Sequence, residues 1–356
     1  MDIWHVIILD ILNKMNGSRR CTGIYYILTG KKTSQSLSDS QWFGIEHYYA
    51  SFKGMAYSAF NDALTELQHA RMIVKKEDQL YLVTKTGEQF LLDQRKRLSF
   101  LENLNGLKYS SIESTCWHVI TLFVQALSNA LYLQGDYSPV VREREAVRLV
   151  KTLYPRSEEE RRKKADALYR EMHFLLQHSD SASAGIFIKK LSGYKRIGNT
   201  FEQIGREWNM SQAEAILRFR SVLHSFIQHS AALKSDFPVL HSLIGSFTEI
   251  PALTRSASLT YDMLSKDMSL QQIMKIRNLK ASTLEDHLVE IAREIPEFSI
   301  SPFISKKESD EIKHFYHKTK ENKLRPMKDA FPHLSYLQIR LVLAKEGGTH
   351  GAGSST

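Results

Sequence analysis

The sequence predicts a mainly α-helical protein built from several domains. Three observations lead there. Apolar residues recur at three- and four-residue spacing through most of the 356 positions. Only one stretch, after Ala70, changes to short β-branched runs about a polar turn. Finally, a Ser or Thr followed three residues later by Gln or Glu, the mark of a reciprocally capped helix start, recurs at Thr200/Gln203, Ser211/Glu214, Ser269/Gln272 and Ser282/Glu285.

The chain is 42% apolar, enough at this length for two or three domains with real cores. Its formal net charge of +9 favours polyanionic partners and says nothing about fold. Cys21 and Cys116 are far apart and form no CxxC pair. Neither a disulfide framework nor a zinc ribbon is implied, and a reducing cytosol is the natural compartment.

The start, "MDIWHVIILDILNK", reads as a buried amphipathic helix over residues 2–15, ended by Asn16-Gly17. Asp2, His5 and Asp10 interrupt it, no basic segment precedes it and no small-residue cleavage site follows, so it is not a signal peptide. No run of about 18 apolar residues exists, and no membrane span is expected. The polar stretch Lys31 to Ser40 reads as a loop. Phe60, Leu64 and Leu67 keep helical spacing; "RMIVKK" and "LYLVTKTG" then flank the turn "EDQ". Helix, helix, helix and hairpin is the order of a winged helix, placed at residues 1–105.

Residues 106–250 are expected to form a central helical domain. "SSIESTCWHVITLFVQALSNALYL" is apolar nearly all round and reads as its core helix. "SEEERRKKADALYREMHFLLQ" opens with Ser157 as N-cap and three glutamates that suit the helix dipole. Its i,i+4 pairs, Glu158–Arg162, Glu159–Lys163 and Glu160–Lys164, contribute about 0.2–0.5 kcal/mol each and describe a solvated face. "FTEIPALTRSAS" reads as a linker, a third unit runs from 255 to 346, and the apolar-free tail 347–356 is expected to be disordered.

Chemistry is sparse. "GIYYILTGKKT" has six residues between Gly23 and Gly30 where a phosphate loop needs four, and Lys32 follows Lys31 where a hydroxyl is needed for magnesium. Glu311, His314 and His317 share a helix face but have no further ligand candidate. HExxH, GxSxG and GxGxxG are all missing. The expectation is a non-enzyme with no cofactor and no metal.

Four segments suggest helix-turn-helix geometry. In "SLQQIMKIRNLKASTLEDHL", Ser269 and Gln272 box the first helix, Ile273 and Ile276 face inward, and Leu279 plugs the turn. Ser282 and Glu285 are expected to box the second helix, with Leu284, Leu288 and Ile291 as its inner stripe. Its outer face would show Thr283, Glu285, Asp286, His287, Glu290 and Arg293. From Leu259 to Ile295 there are five Lys/Arg against six Asp/Glu, an unfavourable balance for a groove-reading helix. Asp286, His287 and Glu290 are therefore expected to meet a partner protein, and Arg277, Lys280 and Arg340 to supply any DNA contact. The second segment, Thr200 to Ile227, buries Ile204 and Trp208, then Ile216, Phe219, Leu223 and Phe226. Between Gly185 and His224 seven Lys/Arg face three Glu, a better footprint for nucleic acid. Lys189, Lys190, Lys195, Arg196, Arg218 and Arg220 are its candidate DNA contacts. The third is the winged helix, whose hairpin carries Lys75, Lys76 and Lys85 beside a helix poor in base-reading residues. The last is "RPMKDAFPHLSYLQIRLVLAKEG", where Pro326 suits a first turn, Ser335 caps the closing helix, and Tyr336, Gln338 and Arg340 project.

The run "SLTYDMLSKDMSLQQIMKIRNLKASTLEDHLVEIA", with "LRPMKDAFPHLSYLQIRLVLAKEG" after it, resembles the helicase-associated helix-turn-helix domain. That family occurs at the C-terminus of some RecQ-type helicases and in stand-alone bacterial proteins of the YpbB type, about this long. Thr260, Leu264, Ser269, Ile273, Arg277, Leu279, Thr283, Leu284, His287 and Leu288, then Tyr336, Ile339 and Arg340, carry the match. Two departures stand out. Asp267 occupies a usual glycine turn, which suggests an altered turn, and Met274-Lys275 replaces a small residue, which would crowd the helix packing.

The resemblance implies a non-enzymatic, cytoplasmic DNA-associated adaptor that partners a RecQ-type helicase in repair or recombination, at the nucleoid if it binds DNA. Two alternatives stay open: a transcription regulator with a sigma-like unit at 200–227, and a pure protein-interaction scaffold.

Overall fold

The computed structural model describes residues 1–95, 97–249, 253–319 and 324–349. It is mainly helical, with one two-stranded antiparallel sheet among the described residues. No helix among them is long and apolar enough to cross a membrane.

The chain forms two compact units. The first comprises Met1–Lys31 and Gly44–Ile250, the second Lys32–Phe43 and Pro251–Thr356. This differs from the sequence expectation in two ways. The expected winged-helix and central regions share one unit, and twelve residues of the former belong with the C-terminal unit. Hydrophobic patterning marks which residues are buried, not which core they enter.

In the first unit, α1 (Ile3–Met15) starts at a capping box made by Asp2 and His5 and stops at Asn16, whose φ of 43° takes the left-handed turn. α2 (Cys21–Thr29) ends at Gly30 in the same conformation. α3 (Ser34–Trp42) lies in the second unit and occupies the stretch expected to be a loop. Its low apolar content hid it. Thr33 and Ser36 cap it reciprocally, Ser40 donates to the Ser36 carbonyl, and Trp42 packs against the Ile312 and Ile339 cluster. Locally satisfied hydroxyls let a polar helix be buried.

The first unit continues with α4 (Tyr57–His69), β1 (Ile73–Glu77), β2 (Leu80–Val83) and α5 (Lys85–Gln94). Ile73 pairs with Val83 and Lys75 with Tyr81, with a bulge before Glu77. Within this unit α1, α2, α4 and the hairpin keep the expected helix–helix–helix–hairpin order. After the one-turn α6 (Gly106–Tyr109) come α7 (Glu113–Leu131), α8 (Arg144–Leu153), α9 (Glu158–Gln177) and α10 (Ser181–Lys190). Then come α11 (Phe201–Trp208), α12 (Gln212–Ala232), and the short α13 (Pro238–Leu240) and α14 (Ser246–Thr248) about a π-helical turn. α7 is the core helix its composition implied. Phe123 is fully buried, and Trp117 meets Phe187 and Phe219 edge-on. α9 has the Ser157 cap, boxed with Glu160, and the Arg162–Glu158 and Lys163–Glu159 pairs.

The second unit adds α15 (Arg255–Leu264), α16 (Leu270–Arg277), α17 (Ala281–Glu294), α18 (Lys306–Thr319), α19 (Leu324–Ala330) and α20 (Tyr336–Thr349). α17 lies at its centre. Leu288 and Val289 pack with Leu341 of α20, while Ile291 packs with Ala257 of α15. The stretch read as a linker is helical at both ends, with residues 250–252 outside the described ones. α20 runs to Thr349, past the expected start of the disordered tail; residues 350–356 lie outside the described residues. Loss of apolar side chains ends a core contact but need not end the backbone ladder.

Candidate nucleic-acid interface

Two helix-turn-helix segments have nearly the same local geometry. Thr200 and Gln203 box α11; Ser269 and Gln272 box α16. Each helix ends on an asparagine in the left-handed conformation, Asn209 at φ 50°, ψ 46° and Asn278 at φ 50°, ψ 49°. The next N–H closes the turn in both, Met210 onto the Gly205 carbonyl and Leu279 onto that of Met274. Asparagine suits this position because its short polar side chain tolerates positive φ better than most. Ile204 and Ile273, one in each first helix, are fully buried.

The second helices start differently. Ser211 caps α12 by accepting the Glu214 N–H. The expected return bond from Glu214 is missing, because that carboxylate is held by Arg218 and Arg97. In the C-terminal segment Lys280 occupies the cap position, and no side chain caps α17. Ser282 therefore does not cap it, correcting the sequence reading. The turn places the helix start at Ala281, so Ser282 already lies inside the first turn.

Burial corrects most of the candidate contacts. Arg218 and Arg220 are inside the first unit. Arg218 binds Glu214 Oε1 at 3.0 and 2.9 Å and Asp180 Oδ1 at 3.0 Å. Arg220 binds Glu113 Oε2 at 2.9 Å and the Ala50 carbonyl at 2.9 Å. Their sequence positions looked outward, but α12 is buried on nearly every side. Lys189 pairs with Glu207 at 2.7 Å. Lys190 donates to the Asn199 carbonyl and sits 4.3 Å from the Phe201 ring, and burial lowers its pKa. Lys195 and Arg196 stay exposed, on the loop between α10 and α11.

The second unit holds the same surprise. Arg277 donates to the carbonyl and hydroxyl of Ser256 and to Thr260 Oγ1, tying α16 to α15. Thr260 Oγ1 lies 2.9 Å from His287 Nδ1. Burial lowers the His287 pKa and Arg277 adds to this, while Asp286 opposes it. Glu290 is buried and bound by Thr254. His287 and Glu290 thus face α15, not a partner. Asp286 is half-exposed and pairs with Arg340 at 2.5 Å. Of the closing-helix residues read as projecting, Gln338 turns to the Phe303 carbonyl and Tyr336 is exposed; Ser335 caps that helix as expected.

Asp267, where the family would have glycine, itself takes φ +58°, so the turn survives the substitution. Met274 is half-buried and Lys275 exposed. Ile276, read as inward, is 60% exposed. The inner arc of α16 is Leu270, Ile273, Met274 and Arg277, and Ile276 falls off its edge. Periodicity centred on Ile273 and Leu270 would have separated Lys275 and Ile276 from the core.

At the tip of the turn in the C-terminal unit Lys275, Asn278, Lys280, Ala281 and Ser282 are exposed. Lys275 and Lys280 form no ion pair among the described residues. In helix-turn-helix readers the N-terminal residues of the second helix reach base edges, and an uncapped helix start offers N–H groups to phosphate. From His287 onward α17 is core.

Residues 256–343 match a family model described as a helix-turn-helix domain. The chain is 27% identical over 348 residues to Protein YpbB of Bacillus subtilis (strain 168), covering 97% of this chain and 98% of that protein. No solved structure matches it. The C-terminal unit is therefore a helix-turn-helix domain, and along nearly its whole length the chain is similar to Protein YpbB.

Proposed function

We propose that the protein is a non-enzymatic, DNA-associated adaptor that partners a RecQ-type helicase in repair or recombination. The observation that carries the DNA part is the helix-turn-helix domain over 256–343, with Lys275, Lys280 and the uncapped start of α17 exposed at its turn. On this reading the turn contacts the phosphate backbone, and cationic contacts of that kind supply most non-specific affinity. The helicase partner rests on the resemblance of residues 260–340 alone. The regulator reading loses support because Arg218 and Arg220, the cations of its sigma-like helix, are spent inside the unit.

The test has two arms on the full-length protein. Fluorescence anisotropy compares a fork, a single strand and a blunt duplex; tagged protein is purified from cells and its companions identified by mass spectrometry. Preferential binding to the fork or single strand, with recovery of a RecQ-type helicase, is expected. A footprint at one defined promoter would favour a regulator, and no DNA binding at all would leave a scaffold.

A further inference from the structure

An aromatic and basic surface lies on the first unit, where α7 ends and the loop between α10 and α11 begins. Tyr132 follows the last residue of α7, and Tyr194 sits on the loop between α10 and α11. Their rings are stacked, with centroids 4.3 Å apart and planes 13° from parallel. Tyr132 is 65% exposed, and Leu133 and Ile197 beside the pair in sequence are 82% and 87% exposed. The Lys195 ammonium lies 5.1 Å from the Tyr194 ring centre.

The surface is built, not merely exposed. Gly193 and Arg196 exchange backbone hydrogen bonds at 2.9 and 3.1 Å, which makes Tyr194-Lys195 the tip of a tight hairpin. Ser128 of α7 accepts the Tyr194 N–H at 3.0 Å. A Cβ on Gly193 would meet the same Ser128 oxygen at 2.8 Å, so any larger residue there would push aside the hydroxyl that holds Tyr194. Leu133 and Lys195 both hold positive φ, 55° and 52°, without being glycine. Such conformations cost of order 1 kcal/mol each and persist only where the surroundings impose them. Charge adds a direction. Between Asp180 and Glu202 the sequence has Lys189, Lys190, Lys195 and Arg196 and no acid. Neither Lys195 nor Arg196 forms an ion pair among the described residues, although Arg196 Nη2 donates to the Ile188 carbonyl. Asp136 is the one acid between Leu127 and Val141.

We infer that Tyr132 and Tyr194 form a stacking platform for an unpaired base of single-stranded DNA, with Lys195 and Arg196 on the flanking phosphates. A duplex base has its faces covered by its neighbours, so a free ring face selects unpaired strand. Lysine and arginine beside the ring give the phosphates their counter-charge without reading sequence. The inference rests on the DNA-associated reading and gives it a substrate class and a second contact surface.

The experiment uses full-length protein and three fluorescein-labelled probes: a short oligothymidine, an abasic oligomer of the same length, and a blunt duplex. Tyr132→Ala should weaken oligothymidine binding by about fivefold to a hundredfold, the range for losing one stacked base, and leave the abasic and duplex affinities unchanged. Tyr132→Trp should restore binding, and Lys195→Ala with Arg196→Ala should weaken both single-stranded probes alike. Tyr132 is exposed, so circular dichroism should show an intact fold. Equal affinity for oligothymidine and the abasic oligomer, or no effect of Tyr132→Ala, would overturn the platform. Fork or duplex binding that persisted in that case would leave the adaptor reading standing. Failure of the wild-type protein to bind any probe would overturn both. Loss of a protein partner from Tyr132→Ala, with oligothymidine affinity kept, would make the surface a protein contact and overturn the inference.

Discussion

Thr254 binds both carboxylate oxygens of Glu290. Its backbone N–H reaches Oε1 at 2.5 Å and its hydroxyl reaches Oε2 at 3.0 Å. The same hydroxyl accepts the Ala257 N–H, so one threonine caps α15 and fastens it to the middle of α17. A carboxylate that reads as a partner contact in the linear sequence is an internal tie. Glu290→Ala leaves these donors without it and should cost about 1–3 kcal/mol. Glu290→Gln, which keeps one acceptor oxygen, should cost less. Urea unfolding followed by circular dichroism measures both; an unshifted midpoint for Glu290→Ala would contradict the assignment.

Arg220→Ala should act on stability and not on DNA. The side chain is 8% exposed and holds Glu113 and the Ala50 carbonyl. Removing one partner of a buried pair typically costs about 3–5 kcal/mol. Arg218→Ala should follow the same pattern, through Glu214 and Asp180. Thermal melts should show the loss, while the slope of DNA affinity against salt stays unchanged. A flatter slope in a folded variant would return these arginines to the surface.

Acid should destabilise the first unit in two steps around Glu113 and His224. The Asn105 N–H donates to His224 Nδ1 at 3.0 Å, so Nε2 carries the proton and donates to Glu113 Oε2 at 2.9 Å. Burial lowers the His224 pKa and Arg220 adds to this, against the pull of Glu113. Below about 6.5 the unfolded chain therefore binds a proton that the folded chain refuses, and stability falls with pH. Burial raises the Glu113 pKa, but His224, Arg220 and Lys53 outweigh it and hold the carboxyl at about 2. Its contribution is complete above the ordinary value of 4.5 and is lost as pH falls toward 2. Chemical denaturation across this range should show both losses, and His224→Gln should reduce the upper one, to which His47, lowered by burial to about 4, also contributes. A flat profile from neutral pH down to 4.5 in the wild type would count against the neutral histidine.

Left-handed positions make a third class of test. Asn278→Ala should cost about 1 kcal/mol, because alanine lacks the local polar side chain that eases positive φ, and Asn278→Gly should be nearly neutral. Asp267, at φ +58°, should gain about 0.5–1 kcal/mol on replacement by glycine. Differential scanning calorimetry of the three variants decides this, and a destabilised Asp267→Gly would show that its side chain matters more than its backbone.

If the exposed turn of the C-terminal unit meets phosphate, Lys275→Ala with Lys280→Ala should weaken duplex binding. It should also reduce the salt slope by about 0.9 for each lost contact. An unchanged slope would move the contact off this turn.

The sequence by itself determined what is local. The Ser269/Gln272 and Thr200/Gln203 boxes, the Asn209 and Asn278 turns, the hairpin after Ala70 and the apolar α7 all depend on groups within a few residues of one another. Turn conformation and apolar spacing are therefore legible in a linear string, and capping in part: Ser211 caps without a return bond from Glu214, and Ser282 does not cap α17. Only the tertiary structure decided which charges face water. Arg220 and Lys195 look alike in a basic stretch, but Arg220 meets Glu113, 107 residues earlier, and Lys195 forms no ion pair among the described residues and lies over a neighbouring ring. Glu290 and Asp286 differ in the same way, one held by Thr254, 36 residues away, the other half-exposed beside Arg340. α3 reached its core through Trp42, a contact its serines did not announce. Whether a charged or polar side chain is buried turns on compensation by a distant partner, because an unpaired group inside costs several kcal/mol and a partner offsets much of that cost. That partner is fixed by how the helices pack.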